Sequence, residues 1–317
     1  MNAVEAKNIV HDYPAKRKAA ARRALNGVSF SVAEGELFGL LGPNGGGKST
    51  LFRILATSFP PTGGSATILG HDLIADPASV RPLLGVVFQH PSLDNKLTVR
   101  ENLVHGGRLY GLSGESLTKR IDEMMGHYRL GSRAGDLCGS LSGGLRRRVE
   151  LAKSLLHKPK VILLDEPSTG LDPAARRDLW EHLMSLKAEG ATILTTTHLM
   201  DEGDRCDRVA ILDQGKIVAA GTPAELKGEI GGDVITIETD DASGLRDEIT
   251  KRFGVTPQAF GDVLRLERAS GHAFIPQLAE AFPGRLRTIS LSRPSLEDAF
   301  LHHAGRRFSD SHTEVTK

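Results

Sequence analysis

Cysteine is nearly absent from this chain: Cys138 and Cys206 are the only two in 317 residues. They lack metal-ligand spacing and build no disulfide framework, which fits a reducing compartment. Long apolar runs are missing too. With no stretch near ~20 hydrophobic residues, no segment is expected to span a bilayer, and the first residues carry no apolar core of a secretion signal. Neither sign of charge dominates, since 40 Lys and Arg against 39 Asp and Glu leave a net +1. A dedicated nucleic-acid binder usually shows a basic excess, so no nucleic acid is expected as a partner. What is left, 39% hydrophobic and 25% charged residues, describes a globular chain long enough for two domains with their own cores.

Glycine, by contrast, gathers in one segment. Gly42-Pro43-Asn44-Gly45-Gly46-Gly47-Lys48-Ser49-Thr50 satisfies the phosphate-loop spacing G-x-x-x-x-G-K-[ST]. The context fits as well: Glu36 to Leu41 reads as a short buried strand, and Leu51, Phe52, Ile54 and Leu55 as the apolar face of a helix. Such a loop turns successive backbone N–H groups inward as an anion nest, and the helix N-terminus behind it adds partial positive charge. Lys48 is placed to reach the β- and γ-phosphates of a nucleotide, and the Ser49 hydroxyl to ligate Mg2+. A glycine-rich turn that merely fits the pattern is the plain alternative, and the strand–loop–helix context argues against it.

A second strand supplies carboxylates. Val161 to Leu164 is apolar without alternation, as expected of a parallel strand buried on both faces. Asp165, at its end, is the candidate for holding Mg2+ through water, and Glu166 for orienting or deprotonating the attacking water. Solvated carboxylates at a strand end are the plain alternative. Two of them in sequence after four aliphatics, with Pro167 following, favour an active site. Upstream, Leu141-Ser142-Gly143-Gly144 opens a basic helix from Leu145 to Leu156.

Together these residues resemble the ATP-binding subunits of ABC transporters, over roughly the first two-thirds of the chain and in that family's motif order. Gln89 in Val87-Phe88-Gln89-His90 is similar to the family's Q-loop. Ser168 to Asp172 resembles the D-loop that crosses the dimer interface, and His198, after Thr195-Thr196-Thr197, the switch histidine that contacts the γ-phosphate. Leu141, Ser142, Gly143 and Gly144 match the signature motif, which in the family caps the nucleotide bound by the opposite subunit.

The resemblance implies an α/β fold, that of a P-loop NTPase ABC ATPase domain with a mixed sheet core and a helical subdomain. It implies ATP and Mg2+ as cofactors, with Ser49, Gln89 and Asp165 on the ion and Glu166, His198 and Gln89 in catalysis. It also implies a homodimer, or a pair with another ATPase subunit, beneath separate transmembrane permease subunits at the cytoplasmic face of the cell membrane. Two positions depart from the family's habit: Leu145 stands where Gln is frequent, and Gly46 where Ala or Ser is frequent. Neither change removes a catalytic group.

The family often stacks adenine on an aromatic residue upstream of the first buried strand, and Tyr13 is the only tyrosine before the loop. Such a contact contributes roughly 0.5–1.5 kcal/mol; a tyrosine packed under an edge strand is the alternative. Five basic residues in nine follow, from Ala15 to Arg23. They read as a solvated connection, or as a patch for anionic lipid head groups.

The chain is expected to divide near residue 230. An ATPase domain over residues 1–229 contains the helical subdomain, about 97–157, and ends in two strands around Gln214-Gly215. A glycine-rich hinge, Gly228 to Gly232, leads to a small α+β domain over residues 233–308, and residues 309–317 form a flexible tail. In the small domain, Val234–Glu238, Val263–Glu267 and Leu286–Leu291 read as strands, and Gly244–Phe253 and Ala273–Phe282 as helices. Pro294-Ser295-Leu296-Glu297-Asp298 starts a last helix with Ser295 as N-cap. His302 and His303, being adjacent, point to different faces, so a metal site there is not favoured.

The Pro-Ser-Leu-Glu-Asp-x-Phe-Leu ending at Leu301, with Pro91 to Asp94 and Leu97 to Asn102, resembles the daunorubicin-resistance branch of type-2 ABC exporters. That branch implies export of a drug, lipid or polymer, driven by ATP-dependent closure of the ATPase dimer. The alternative is a soluble ABC ATPase acting on ribosome or DNA. Such proteins typically carry paired cassettes, a long coiled coil or zinc cysteines, and none is seen.

Overall fold

The computed structural model describes residues 1–15 and 21–305. Residues 16–20 of the basic segment and the tail 309–317 lie outside the described residues. The chain forms two compact units, Met1–Ile217 and Val218–Lys317.

In the first unit the sheet strands run in the order Arg208–Asp213, Leu37–Leu41, Thr192–Thr197, Val161–Asp165, Leu84–Val87. The four pairings from Arg208–Asp213 across to Leu84–Val87 are all parallel. A parallel sheet is covered on both faces, so its central strands are withdrawn from water along their whole length. Leu37–Leu41, Val161–Asp165 and Thr192–Thr197 are accordingly buried at every position. A second, antiparallel sheet is ordered Arg22–Ala33, Asn2–Tyr13, Gly63–Ile68, His71–Asp72. The sheets share one core with the helix Lys48–Leu55: Val4, Ile9 and Val32 join Phe38, Leu163 and Leu194 around Leu51, Phe52 and Leu55. Each such side chain contributes about 1.5–3 kcal/mol over its exposed state, so the helix behind the phosphate loop is fixed by its apolar face.

Between Leu84–Val87 and Val161–Asp165 the chain is helical: Val99–Leu109, Gly114–His127 and Gly143–Ser154. Thr98 and Glu101 close a capping box at the first of these, satisfying donors that a helix start leaves open.

The second unit is α+β. Its antiparallel sheet is ordered Gln258–Phe260, Val263–Arg268, Asp233–Glu238, Thr288–Ser292. Ile235, Ile237, Leu264 and Leu266 pack against Leu245 and Ile249 of the helix Ala242–Phe253 and Phe274 and Leu278 of the helix Gly271–Ala281. The last helix, Leu296–Ala304, begins in a capping box of Ser295 with Asp298. The division between the units falls inside Lys216–Gly221, ahead of the glycine-rich segment Gly228 to Gly232. The cause is the helix Pro223–Gly228, which is capped by Thr222 and packs with Leu296–Ala304 inside the second unit.

Candidate functional site

The strand Leu37–Leu41 delivers the chain to a loop that only glycine can build. A Cβ at Gly42 would stand 2.1 Å from the Leu212 carbonyl oxygen. Gly47, at φ 111°, caps the helix Lys48–Leu55 from the left-handed region, which costs a side-chain-bearing residue strain. Beside this loop lies a pocket of about 330 Å3, lined by Pro43 to Gly45, Gly47 to Thr50, Tyr13, Arg22, Gln89 and Glu166. Its size suits a small-molecule ligand. Gly46 is not among the lining residues; it faces the Leu212 and Pro43 carbonyls. The Tyr13 hydroxyl lies 3.2 Å from Thr50 Oγ1, and its ring meets His11 edge-on.

Lys48 and Glu166 are both buried, 4% and 6% exposed, and lie 3.4 Å apart. The Lys48 ammonium also donates to the carbonyls of Gly42 at 2.7 Å and Pro43 at 3.1 Å. Burial holds its pKa below the usual lysine range, against the pull of Glu166. Glu166 Oε2 accepts from Gln89 Nε2 at 3.1 Å and from the Thr169 hydroxyl at 3.3 Å. His198 Nδ1 stands 3.2 Å from the same oxygen, off the line of a hydrogen bond. Burial alone would raise the Glu166 pKa, but the His198 and Lys48 side chains beside it outweigh burial and lower it. Glu166 is therefore ionised at neutral pH, able to accept a proton or a hydrogen bond from water.

Asp165, 3% exposed, has its pKa raised by burial and, in smaller part, by the charge of Glu166, against a hydrogen bond from Thr196. That bond, from Thr196 Oγ1 to Asp165 Oδ1, is 2.6 Å long. Ser49, Gln89 and Asp165 can each offer an oxygen donor, the hard ligand type that Mg2+ prefers. The chemistry of the set therefore fits the expected ion.

Leu141 to Gly144 are not among the residues lining this pocket. Ser142 instead caps the helix Gly143–Ser154, accepting from the Leu145 N–H at 3.4 Å. Asp172 caps the helix Pro173–Ala188 and accepts from the Ala174 and Ala175 N–H groups, each at 2.9 Å. The helix that begins at the signature also grips the Gln89 segment from both sides. Arg147 donates to Phe88 O at 3.0 Å, Glu150 accepts from Ser92 N–H at 2.7 Å, and Lys153 donates to Ser92 O at 2.9 Å. A groove of about 760 Å3 runs along this contact, lined by Phe88, Ser92, Leu109, Tyr110, Glu150 and Lys153 among others. Leu109 is 83% exposed at its edge.

Two residues at the site belong to none of the sequence motifs. Arg22, in the basic stretch of the sequence, donates to Gly45 O at 3.1 Å and lines the pocket. Its neighbour Arg23 is engaged by Asp12 at 2.8 and 3.0 Å. Thr196 is, in the sequence, only a near neighbour of His198. Its signal would have been the run of three threonines at the end of a buried strand.

Residues 25–169 match the family model described as ABC transporter. Along most of its length the chain is similar to curated proteins. It is 37% identical to the daunorubicin/doxorubicin resistance ATP-binding protein DrrA of Streptomyces peucetius, over 92% of this chain and 91% of that one. It is 40% identical to the Nod factor export ATP-binding protein I of Burkholderia lata, over 90% and 93%. Among solved structures, MJ0796, a bacterial ABC transporter cassette in dimeric form, aligns with a TM-score of 0.63 at 29% identity, covering 69% of this chain and 98% of that one. The cbiO1 subunit from Clostridium perfringens aligns with a TM-score of 0.64 at 25% identity, over 80% and 96%.

Proposed function

The chain belongs to the ABC transporter family as an ATP-binding subunit, and from that premise we propose how its residues drive an exporter. It binds and hydrolyses ATP, and it has the α/β fold of that family's ATPases. The observation that carries the mechanism is the gathering of Lys48, Gln89 and His198 on the Glu166 carboxylate, beside the phosphate loop.

In our reading the loop from Gly42 to Thr50 cradles the phosphates, Lys48 turns from Glu166 to the β- and γ-phosphates, and Tyr13 carries the adenine. Ser49, Gln89 and Asp165 hold Mg2+, which when bound neutralises phosphate charge. Glu166 orients the attacking water and takes its proton; His198 contacts the γ-phosphate. Leu141 to Gly144, capping their own helix outside this pocket, serve the nucleotide of a second copy, and Asp172 lies in the segment crossing to it. ATP then favours the closed pair because only the triphosphate touches both halves, and hydrolysis removes that preference.

The grip of Arg147, Glu150 and Lys153 on the Gln89 segment, with the apolar groove beside it, supports docking of a separate transmembrane permease there. Among the described residues no helix is long and apolar enough to cross a membrane, so the pore belongs to that partner in this account. The chain then works at the cytoplasmic face of the membrane. The DrrA and Nod factor export relatives support export of a drug, lipid or polymer rather than action on ribosome or DNA. Co-purification of the Glu166→Gln variant from detergent-solubilised native membranes, with and without ATP, tests this. Recovery of a multi-span membrane protein is the expected result; ribosomes or nucleic acid without one would contradict it.

A further inference from the structure

We infer that Thr196 is a positioning residue that sets Asp165 and Glu166 together, an inference that rests on the roles proposed for those two carboxylates. Thr196 is fully buried and lies opposite Asp165 in the parallel register. Its hydroxyl is used twice. The proton goes to Asp165 Oδ1 at 2.6 Å, and the oxygen accepts the Glu166 N–H at 3.0 Å. The Thr196 carbonyl shares that N–H at 3.2 Å.

The second contact matters because Glu166 has φ 45°, in the left-handed region. A side-chain-bearing residue stays there only where its surroundings hold it. That turn takes the Glu166 carboxylate off the line of the strand Val161–Asp165, to Lys48, Gln89 and His198. The first contact fixes one oxygen of the buried carboxylate proposed to hold the ion through water. One hydroxyl thus orients the ion-holding group and the water-activating group at once.

The fold alone does not ask for this oxygen. Valine has the same branched shape and would suit a buried strand equally well. The next threonine shows a separate purpose: Thr197 Oγ1 donates to Glu202 Oε2 at 2.6 Å and accepts the Leu199 N–H at 3.0 Å.

The test compares Thr196→Val with Thr196→Ser. Steady-state ATPase assays give kcat and KM, and calorimetric titration of ATP at graded Mg2+, in a Glu166→Gln background, reads ion dependence without turnover. Thr196→Val is expected to lower kcat by about 10- to 100-fold, the usual effect of removing a group that orients a metal ligand, and to raise the Mg2+ needed for tight ATP binding. Thr196→Ser is expected to restore both. Wild-type kcat and Mg2+ dependence in Thr196→Val would overturn the inference. Should that variant fail to fold, Thr196→Ala is read against Thr196→Ser in the same assays with the same two outcomes. Glu166→Gln alone separates the levels. If it keeps normal turnover, the catalytic reading fails; if it is inactive while Thr196→Val is normal, only the inference about Thr196 fails.

Discussion

Glu166 in the first unit and Asp298 in the second are acidic side chains largely withdrawn from water, 6% and 16% exposed, yet they keep different company. Around Glu166 the partners come from four separate segments: Lys48 on the phosphate loop, Gln89 after Leu84–Val87, Thr169, and His198 after Thr192–Thr197. Each is a group that a nucleotide phosphate or a water could claim instead. Asp298 faces partners that fasten the fold, one of which, Arg265, it shares with Glu267 at 3.6 Å. It closes the capping box with Ser295 and pairs with the buried Arg265 at 2.7 Å. Exchangeable contacts mark chemistry, and committed contacts mark fastening. That difference also gives the Pro294 to Leu301 segment a structural reason, since Leu296, Phe300 and Leu301 are buried behind the cap.

Substitutions can break this contrast. The largest effect is expected at Glu166→Gln, which should lose about 10²–10⁴-fold in turnover if Glu166 is the general base, while ATP binding, measured by calorimetry, persists. Asp298→Asn should act on stability instead. It leaves Arg265 with Glu267 alone, at 3.6 Å, so the loss should fall below the roughly 3–5 kcal/mol of a buried charge left without any partner. Thermal unfolding should register it, with turnover per folded molecule unchanged. Lys48→Ala should weaken ATP binding by roughly 10- to 100-fold, matching about 1.5–3 kcal/mol for hydrogen bonds to a charged group. Equilibrium nucleotide titration checks this. The smallest effect is expected at Tyr13→Ala, a loss of about 0.5–1.5 kcal/mol in ATP affinity if the ring stacks on adenine. Tyr13→Phe should keep most of it, because only the contact to Thr50 goes.

What the sequence made legible follows from local constraint. Leu37–Leu41 and the run Val161 to Leu164 announce themselves because a strand buried on both faces reads as a near-continuous apolar run. Lys48, Asp165 and Glu166 could be read because their meaning depends on neighbours in the chain. The strand Gln258–Phe260 was not legible: three residues carry too little periodicity. Thr196 was hidden for another reason. Its partners Asp165 and Glu166 are 31 and 30 residues away, and only the register of adjacent strands brings them together. Arg22 lies opposite Tyr13 across two antiparallel strands, a pairing that the intervening basic stretch conceals.

In the proposed mechanism the site is completed by a second copy, through Ser142 and Gly144. Sedimentation of Glu166→Gln without nucleotide, with ADP and with MgATP addresses it most directly, alongside the double variant Glu166→Gln with Ser142→Arg. A dimer is expected only with MgATP, and is expected to be lost in the double variant although ATP still binds each monomer. A dimer that forms equally without ATP, or that survives Ser142→Arg unchanged, would contradict it.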